Sequence, residues 1–154
     1  MTATGLTPKA TATSAIHPPI HPMALFKNGL IIDLEPDEVF VFGSNLAGRH
    51  GAGAAKQAVK WGALYGIGRG LRGQTYALPT KDDRLRTMAH DLIAAEIKAF
   101  ALFAAKRSAL RFYLTAIGTG LAGIPEALVR QWVESSGITR NVIPWWEWME
   151  EVDV

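Results

Sequence analysis

Apolar residues fall along the chain in short runs separated by polar or glycine-rich breaks. Leu30-Ile31-Ile32 is the first run and ends at Asp33. Val39-Phe40-Val41-Phe42 is entirely apolar, the pattern of a strand buried on both faces in a parallel sheet covered by helices. Glu35-Pro36-Asp37-Glu38 between them is a turn. Thr75-Tyr76-Ala77-Leu78 is predicted as a third strand closed by Pro79. Phe112 to Ile117 is predicted as the fourth, and Asn141-Val142-Ile143 as a short last strand.

Between these runs the period changes from two to about 3.6. Gly53 to Trp61 suits a helix stopped by Gly62. The longest helix is predicted over about 84 to 105, with Asp82 or Asp83 as its N-cap. Leu85, Met88, Ala89, Leu92, Ile93, Ile97, Phe100, Phe103 and Ala104 recur there at helical spacing. Pro125 fits the first turn of a third helix, with Leu128, Val129, Trp132 and Val133 as its buried stripe and Gly137 as its end. Strands alternating with helices predict an α/β domain. Ligands in such sheets sit at the carboxyl ends of the strands.

Two glycine-rich loops lie at those ends, each between a strand and a helix: Gly43 to Gly53, and Gly118-Thr119-Gly120-Leu121-Ala122-Gly123. Glycine permits positive φ and lets backbone N–H groups approach a ligand without an intervening Cβ. A helix starting just after the loop adds free N–H groups. Together these features suit phosphate, although plain tight turns would show the same glycines. The first loop is not a Walker A motif, because no Gly-Lys-Ser/Thr follows. The second matches G-x-G-x-x-G, the dinucleotide-binding fingerprint of Rossmann-like folds. Roughly thirty residues remain after it, and the acidic ribose partner expected ~20 residues on is absent near Ile143.

Composition narrows the picture. The 154 residues fit one domain, and no apolar run approaches the ~20 residues that span a bilayer. Residues 1–22 are rich in Thr, Ala and Pro and are read as a flexible tail, with the domain over 23–154 and Met23 as a candidate alternative start. The N-terminus lacks the pattern of a signal peptide. The absence of cysteine excludes thiolate chemistry and Cys-ligated zinc and fits a cytoplasmic location. Only His50 and His90 lie in the folded part, so no metal site and no cofactor are expected. A net charge of +2, with Lys and Arg thinly spread, argues against a nucleic-acid surface.

Taken together, the motifs resemble a family. Asp33-Leu34, then Asp37 to Asn45 (Asp-Glu-Val-Phe-Val-Phe-Gly-Ser-Asn), then Gly48-Arg49-His50-Gly51-Ala52-Gly53-Ala54-Ala55 look like the front half of a macrodomain. Ala77-Leu78-Pro79-Thr80-Lys81 and Ala116 to Leu121 look like its back half. The resemblance covers about residues 30 to 144 and is closest to the branch that includes the terminal ADP-ribose glycohydrolases. It implies a three-layer α/β/α fold with a mixed, mostly parallel sheet and a cleft for ADP-ribose or an ADP-ribosylated substrate. By the same resemblance, Asp33 would meet the adenine amino group and Asn45 the proximal ribose. Gly51, Ala52, Gly53 and Ala54 would wrap the pyrophosphate from one side, and Gly118, Thr119, Gly120 and Leu121 from the other.

Departures from the family pattern bear on catalysis. Hydrolases of one branch carry an acidic residue where this chain has Gly53, or close to it, and those of the other where it has Ala122. The glycohydrolase branch also uses a lysine, for which Lys60, or less well Lys56, is the candidate. A cleft carboxylate is the usual group to activate water or stabilise a sugar cation. The expectation is therefore a binding module. The alternatives are an ADP-ribosyl hydrolase using Asn45, Lys60 and Asp82, or an interaction protein that has lost its ligand. His50 could touch a phosphate or act as a general base, or be an exposed loop residue. Arg49 could pair with a phosphate. Trp145, Trp146 and Trp148 could stack on a base, close the sheet edge or mark an oligomer interface.

Overall fold

A computed structural model describes the backbone of residues 25–27 and residues 30–149 in full; the N-terminal stretch read as a tail lies outside the described residues. Among the described residues, seven strands form in two sheets. β1 (Leu25–Lys27) and β2 (Leu30–Asp33) make an antiparallel pair of their own. The main sheet contains β3 (Glu38–Asn45), β4 (Gly70–Arg72), β5 (Thr75–Lys81), β6 (Arg111–Leu114) and β7 (Val142–Pro144). Its order is β4-β5-β3-β6-β7. β5, β3, β6 and β7 run parallel, and only the edge strand β4 is antiparallel. The domain is thus α/β with a mixed, mostly parallel sheet.

β3 is central, and its apolar run explains why. Val39 and Val41 face one side and Phe40 and Phe42 the other, and all four are buried. On the first side, Tyr76 and Phe112 stand in register beside Val41 and Val39. Phe100 and Phe103 of α2 (His90–Ala105) pack on both rings, with Phe100 lying 5.0 Å from Tyr76 and 5.6 Å from Phe112. On the second side, α1 (Gly53–Ala58) and the single 3-10 turn Val59–Trp61 lay Trp61 against Phe40 at 5.0 Å. Gly62 ends that segment at φ 118°, a left-handed conformation that glycine adopts readily. α3 (Glu126–Ser135) packs on α2 and is followed by Gly137 at φ 84°.

Several boundaries differ from the periodicity, for physical reasons. α2 begins at His90 rather than near residue 84, so neither Asp82 nor Asp83 caps it. The Asp82 carboxylate instead accepts the N–H groups of Arg84 and Arg86, while Asp82 N–H bonds to the Arg86 carbonyl. That turn folds the chain back along β5, where Thr87 pairs with Lys81 and Met88 N–H bonds to the Thr80 carbonyl. Leu85 lies inside the turn, and Leu92 is exposed rather than part of the stripe. β5 continues through Pro79 because β4 pairs only with Thr75–Ala77, leaving one edge open where the missing N–H is tolerated. β6 stops at Leu114, so Thr115–Ile117 belong to the loop. β7 runs to Pro144, and Trp145–Trp148 form a short helix, α4.

Candidate functional site

Both glycine loops open onto one cleft of about 1000 Å³ at the carboxyl ends of the parallel strands. The first follows β3 and the second follows β6, and these strands are hydrogen-bonded neighbours. Gly43 marks their close approach: a Cβ there would stand 3.3 Å from the Gly118 nitrogen.

The first loop is braced from beneath. The Asn45 side-chain amide donates to the Arg49 carbonyl at 2.9 Å and accepts the Arg49 N–H at 2.9 Å. Gly48 sits at φ 71°, and a Cβ there would lie 2.4 Å from the Gly66 carbonyl carbon, so no larger residue fits. His50 is only 1% exposed, contrary to the exposed loop position considered from sequence. Its Nε2 lies 2.9 Å from the Leu64 carbonyl and 3.1 Å from that of Ile67, so it is the donor nitrogen. Its ring packs edge-on against Phe42 and Tyr65. Held this way, His50 buttresses the loop and does not line the cleft.

The cleft is rich in unused backbone donors. The first bond of α1 is Lys56 N–H to the Ala52 carbonyl, so the N–H groups of Gly51 to Ala55 have no acceptor among the described residues. In the second loop, Gly123 N–H bonds to the Gly120 carbonyl and Ile124 N–H to that of Gly118. Thr119 Oγ1 closes the turn on the Ala116 carbonyl at 2.7 Å. The N–H groups of Gly118, Gly120, Leu121 and Ala122 have no acceptor among the described residues. Two sets of free donors therefore border one space, an arrangement that recognises an anion.

Charge in the cleft has one sign. Arg49 and Lys81 line it, and among the described residues no Asp, Glu or His does. Neither cationic head has a salt-bridge or side-chain hydrogen-bond partner among the described residues. Opposite charges are placed elsewhere. Glu38, at the far end of β3, is fully buried; burial pushes its carboxyl up, against bonds from Glu35 N–H and the Tyr113 hydroxyl that lower it. The Arg86 and Arg84 N–H groups hold the Asp82 carboxyl below the usual carboxylate range.

The residues named from sequence divide into two groups. Asn45, Gly51, Ala52, Gly53, Ala54, Gly118, Thr119, Gly120 and Leu121 line the cleft together. Asp33, Lys60 and Asp82 do not. The exposed Asp33 carboxylate accepts the N–H of Leu34 at 2.9 Å. Lys60 donates to the Ile32 carbonyl at 2.9 Å and lies over the Trp61 ring. With Gln57, which donates to the Ile31 carbonyl, it fastens β2 to α1. Asp82 is spent on its own turn.

The sequence reading gave no role to Lys81, Thr80, Gln57 or Met149, which also line the cleft. Pro79 hid Thr80 and Lys81, because it reads as the end of the strand; β5 instead runs on through Pro79 and ends with them, at the edge where such sheets bind ligands. Trp148, weighed as a stacking residue, lines the cleft but is nearly buried, its indole N–H bonded to the Ile143 carbonyl. Trp145 and Trp146 do not line it. Among the described residues no three acidic or histidine side chains are grouped to hold a metal, and no helix is long and apolar enough to cross a membrane. No family model, no curated protein and no solved structure matches the chain.

Proposed function

We propose that this chain is a macrodomain-like module, three-layered α/β/α, that binds ADP-ribose or a related adenine nucleotide derivative in the cleft between its glycine loops. The observation that carries the reading is the pair of opposed loops whose free N–H groups border one cavity. A hydrogen bond to a charged group contributes about 1.5–3 kcal/mol, so a few such bonds reach micromolar affinity. A cavity near 1000 Å³ suits a ligand larger than a lone phosphate. Leu30, Ile31 and Met149 offer an apolar wall for a base, and Arg49 and Lys81 supply charge complementary to a pyrophosphate.

Binding is favoured over hydrolysis by the absence of any carboxylate or imidazole among the described lining residues. Water activation or protonation of a leaving group normally draws on such a group. The Rossmann-like reading fares less well, since among the described residues only β7 follows the second loop in the sheet. A cytoplasmic location belongs to the same proposal, because a chain without cysteine has no disulfide to lose in a reducing compartment.

Calorimetric titration with ADP-ribose, and with ADP, AMP and NAD alongside, tests the reading. Micromolar binding selective for ADP-ribose is expected. Absence of heat with all of them would leave an interaction protein without a nucleotide ligand.

A further inference from the structure

The neutral polar side chains of the cleft turn their donors into the protein. Ser44 Oγ donates to the Gly68 carbonyl, Thr115 Oγ1 to that of Val41 at 2.7 Å, and Thr119 Oγ1 to that of Ala116 at 2.7 Å. Thr80 Oγ1 reaches the Ser44 carbonyl at 3.4 Å, and the Asn45 amide spans both backbone groups of Arg49. What borders the cavity without such a bond is the set of loop N–H groups and the cationic heads of Arg49 and Lys81. Both answer to negative charge, which belongs to the phosphates and not to the base.

The apolar wall is equally silent about base edges. Leu30 and Ile31 come from β2, and Met149 follows α4. The polar groups beside them are engaged. The Gln57 amide donates to the Ile31 carbonyl, Lys60 to the Ile32 carbonyl, and the Trp148 indole N–H to the Ile143 carbonyl at 3.2 Å. The Asp33 carboxylate, on the same strand as Leu30, lies outside the lining and accepts the Leu34 N–H. The Gln57 amide oxygen is left for a ligand. One acceptor takes the amino group of adenine or the N1–H of hypoxanthine alike, so it does not separate these bases. Strong discrimination needs a buried polar group that one base satisfies and the other leaves unpaired. Among the described residues, no side chain of the wall supplies one.

We infer that the cleft does not read the base: it takes nucleoside diphosphates as a class, holding the diphosphate by charge and the base by apolar contact with Leu30, Ile31 and Met149. This rests on the nucleotide reading of the cleft and widens its ligand class beyond adenine.

The test titrates the full chain with ADP-ribose and with IDP-ribose, in which hypoxanthine replaces adenine. Both titrations are repeated with Leu30→Ala, a truncation at a position 57% exposed. The two affinities of the parent are expected to agree within about threefold, since no amino group is read. Leu30→Ala is expected to weaken both probes by the same factor, because the lost contact is apolar. IDP-ribose weaker than ADP-ribose by about tenfold or more overturns the inference while leaving the cleft assignment intact, since a protein group then reads the amino group. Parental affinity of Leu30→Ala for both probes also overturns it, because the base then lies off the apolar wall. If neither probe binds the parent protein, the cleft assignment fails and the inference fails with it.

Discussion

Thr87 Oγ1 donates to the Ala122 carbonyl at 3.0 Å, tying the turn after β5 to the second glycine loop. These residues are far apart in sequence, and the bond joins two segments that border the same cleft. An exposed hydrogen bond of this kind contributes about 0.5–1.5 kcal/mol. Thr87→Val, which keeps the shape and removes the donor, is expected to weaken ADP-ribose by about tenfold or less with a small change in Tm. Calorimetry and a thermal melt on the same sample check it; a variant with parental affinity would show that the loop holds its shape unaided.

The glycines differ in what they permit. Gly120 has open space around the position of a Cβ and does not need positive φ, whereas Gly53 sits at φ 58°. Gly120→Val is therefore expected to keep the parental Tm and lose ADP-ribose binding, because its side chain enters the ligand's space. Gly53→Val is expected to lose both, with about 1–2 kcal/mol of stability sacrificed to the left-handed backbone. Full affinity in a folded Gly120→Val protein would put the ligand elsewhere.

Charge in the cleft resides on Arg49 and Lys81, not on Lys60. Arg49→Ala and Lys81→Ala are each expected to weaken ADP-ribose by about 1.5–3 kcal/mol and to flatten the salt dependence of binding. Lys60→Ala removes a bond to the Ile32 carbonyl outside the cleft, so its effect is expected in the Tm rather than in the affinity. Titrations at low and high salt separate the two classes. A Lys60→Ala variant that folds like the parent but no longer binds would return that lysine to the site.

Glu38 gives the fold a pH dependence of known sign. Its carboxyl is raised above its ordinary value of 4.5 chiefly by burial, so the folded state holds the proton more tightly than the unfolded chain. This group's contribution to stability is complete below pH 4.5 and is lost as pH rises through the raised folded value. Glu38→Gln removes that titration. The Tm of the variant minus that of the parent is expected to increase from pH 4.5 to pH 7. A difference independent of pH would mean that the Tyr113 hydroxyl and Arg111, 3.9 Å away, keep Glu38 ionised throughout.

Much of this was legible in the residues. The all-apolar run of β3 announced a strand buried on both faces, and the glycine loops announced their own place at the strand ends, because backbone freedom is written directly in glycine. What hid was decided by long-range pairing. The segment 82–88 has helical spacing, yet the Asp82 carboxylate and the edge of β5 capture its backbone first. Lys60 reads as a cleft lysine until β2 is seen lying along α1, where the Ile32 carbonyl accepts a hydrogen bond from its ammonium. His50 reads as a loop residue until the carbonyls of Leu64 and Ile67 are found beside it. Lys81 gained meaning only when β5 proved to run through Pro79 and end at the cleft.

The central claim is that the free amides of the two loops hold the phosphates. Amide chemical shifts of ¹⁵N-labelled protein, followed while ADP-ribose is added, measure this at the groups concerned. The account predicts the largest displacements at Gly51 to Ala55 and at Gly118 to Ala122, with residues of α3 unmoved. Displacements confined to other parts of the surface, or none in either loop at saturating ligand, would contradict it.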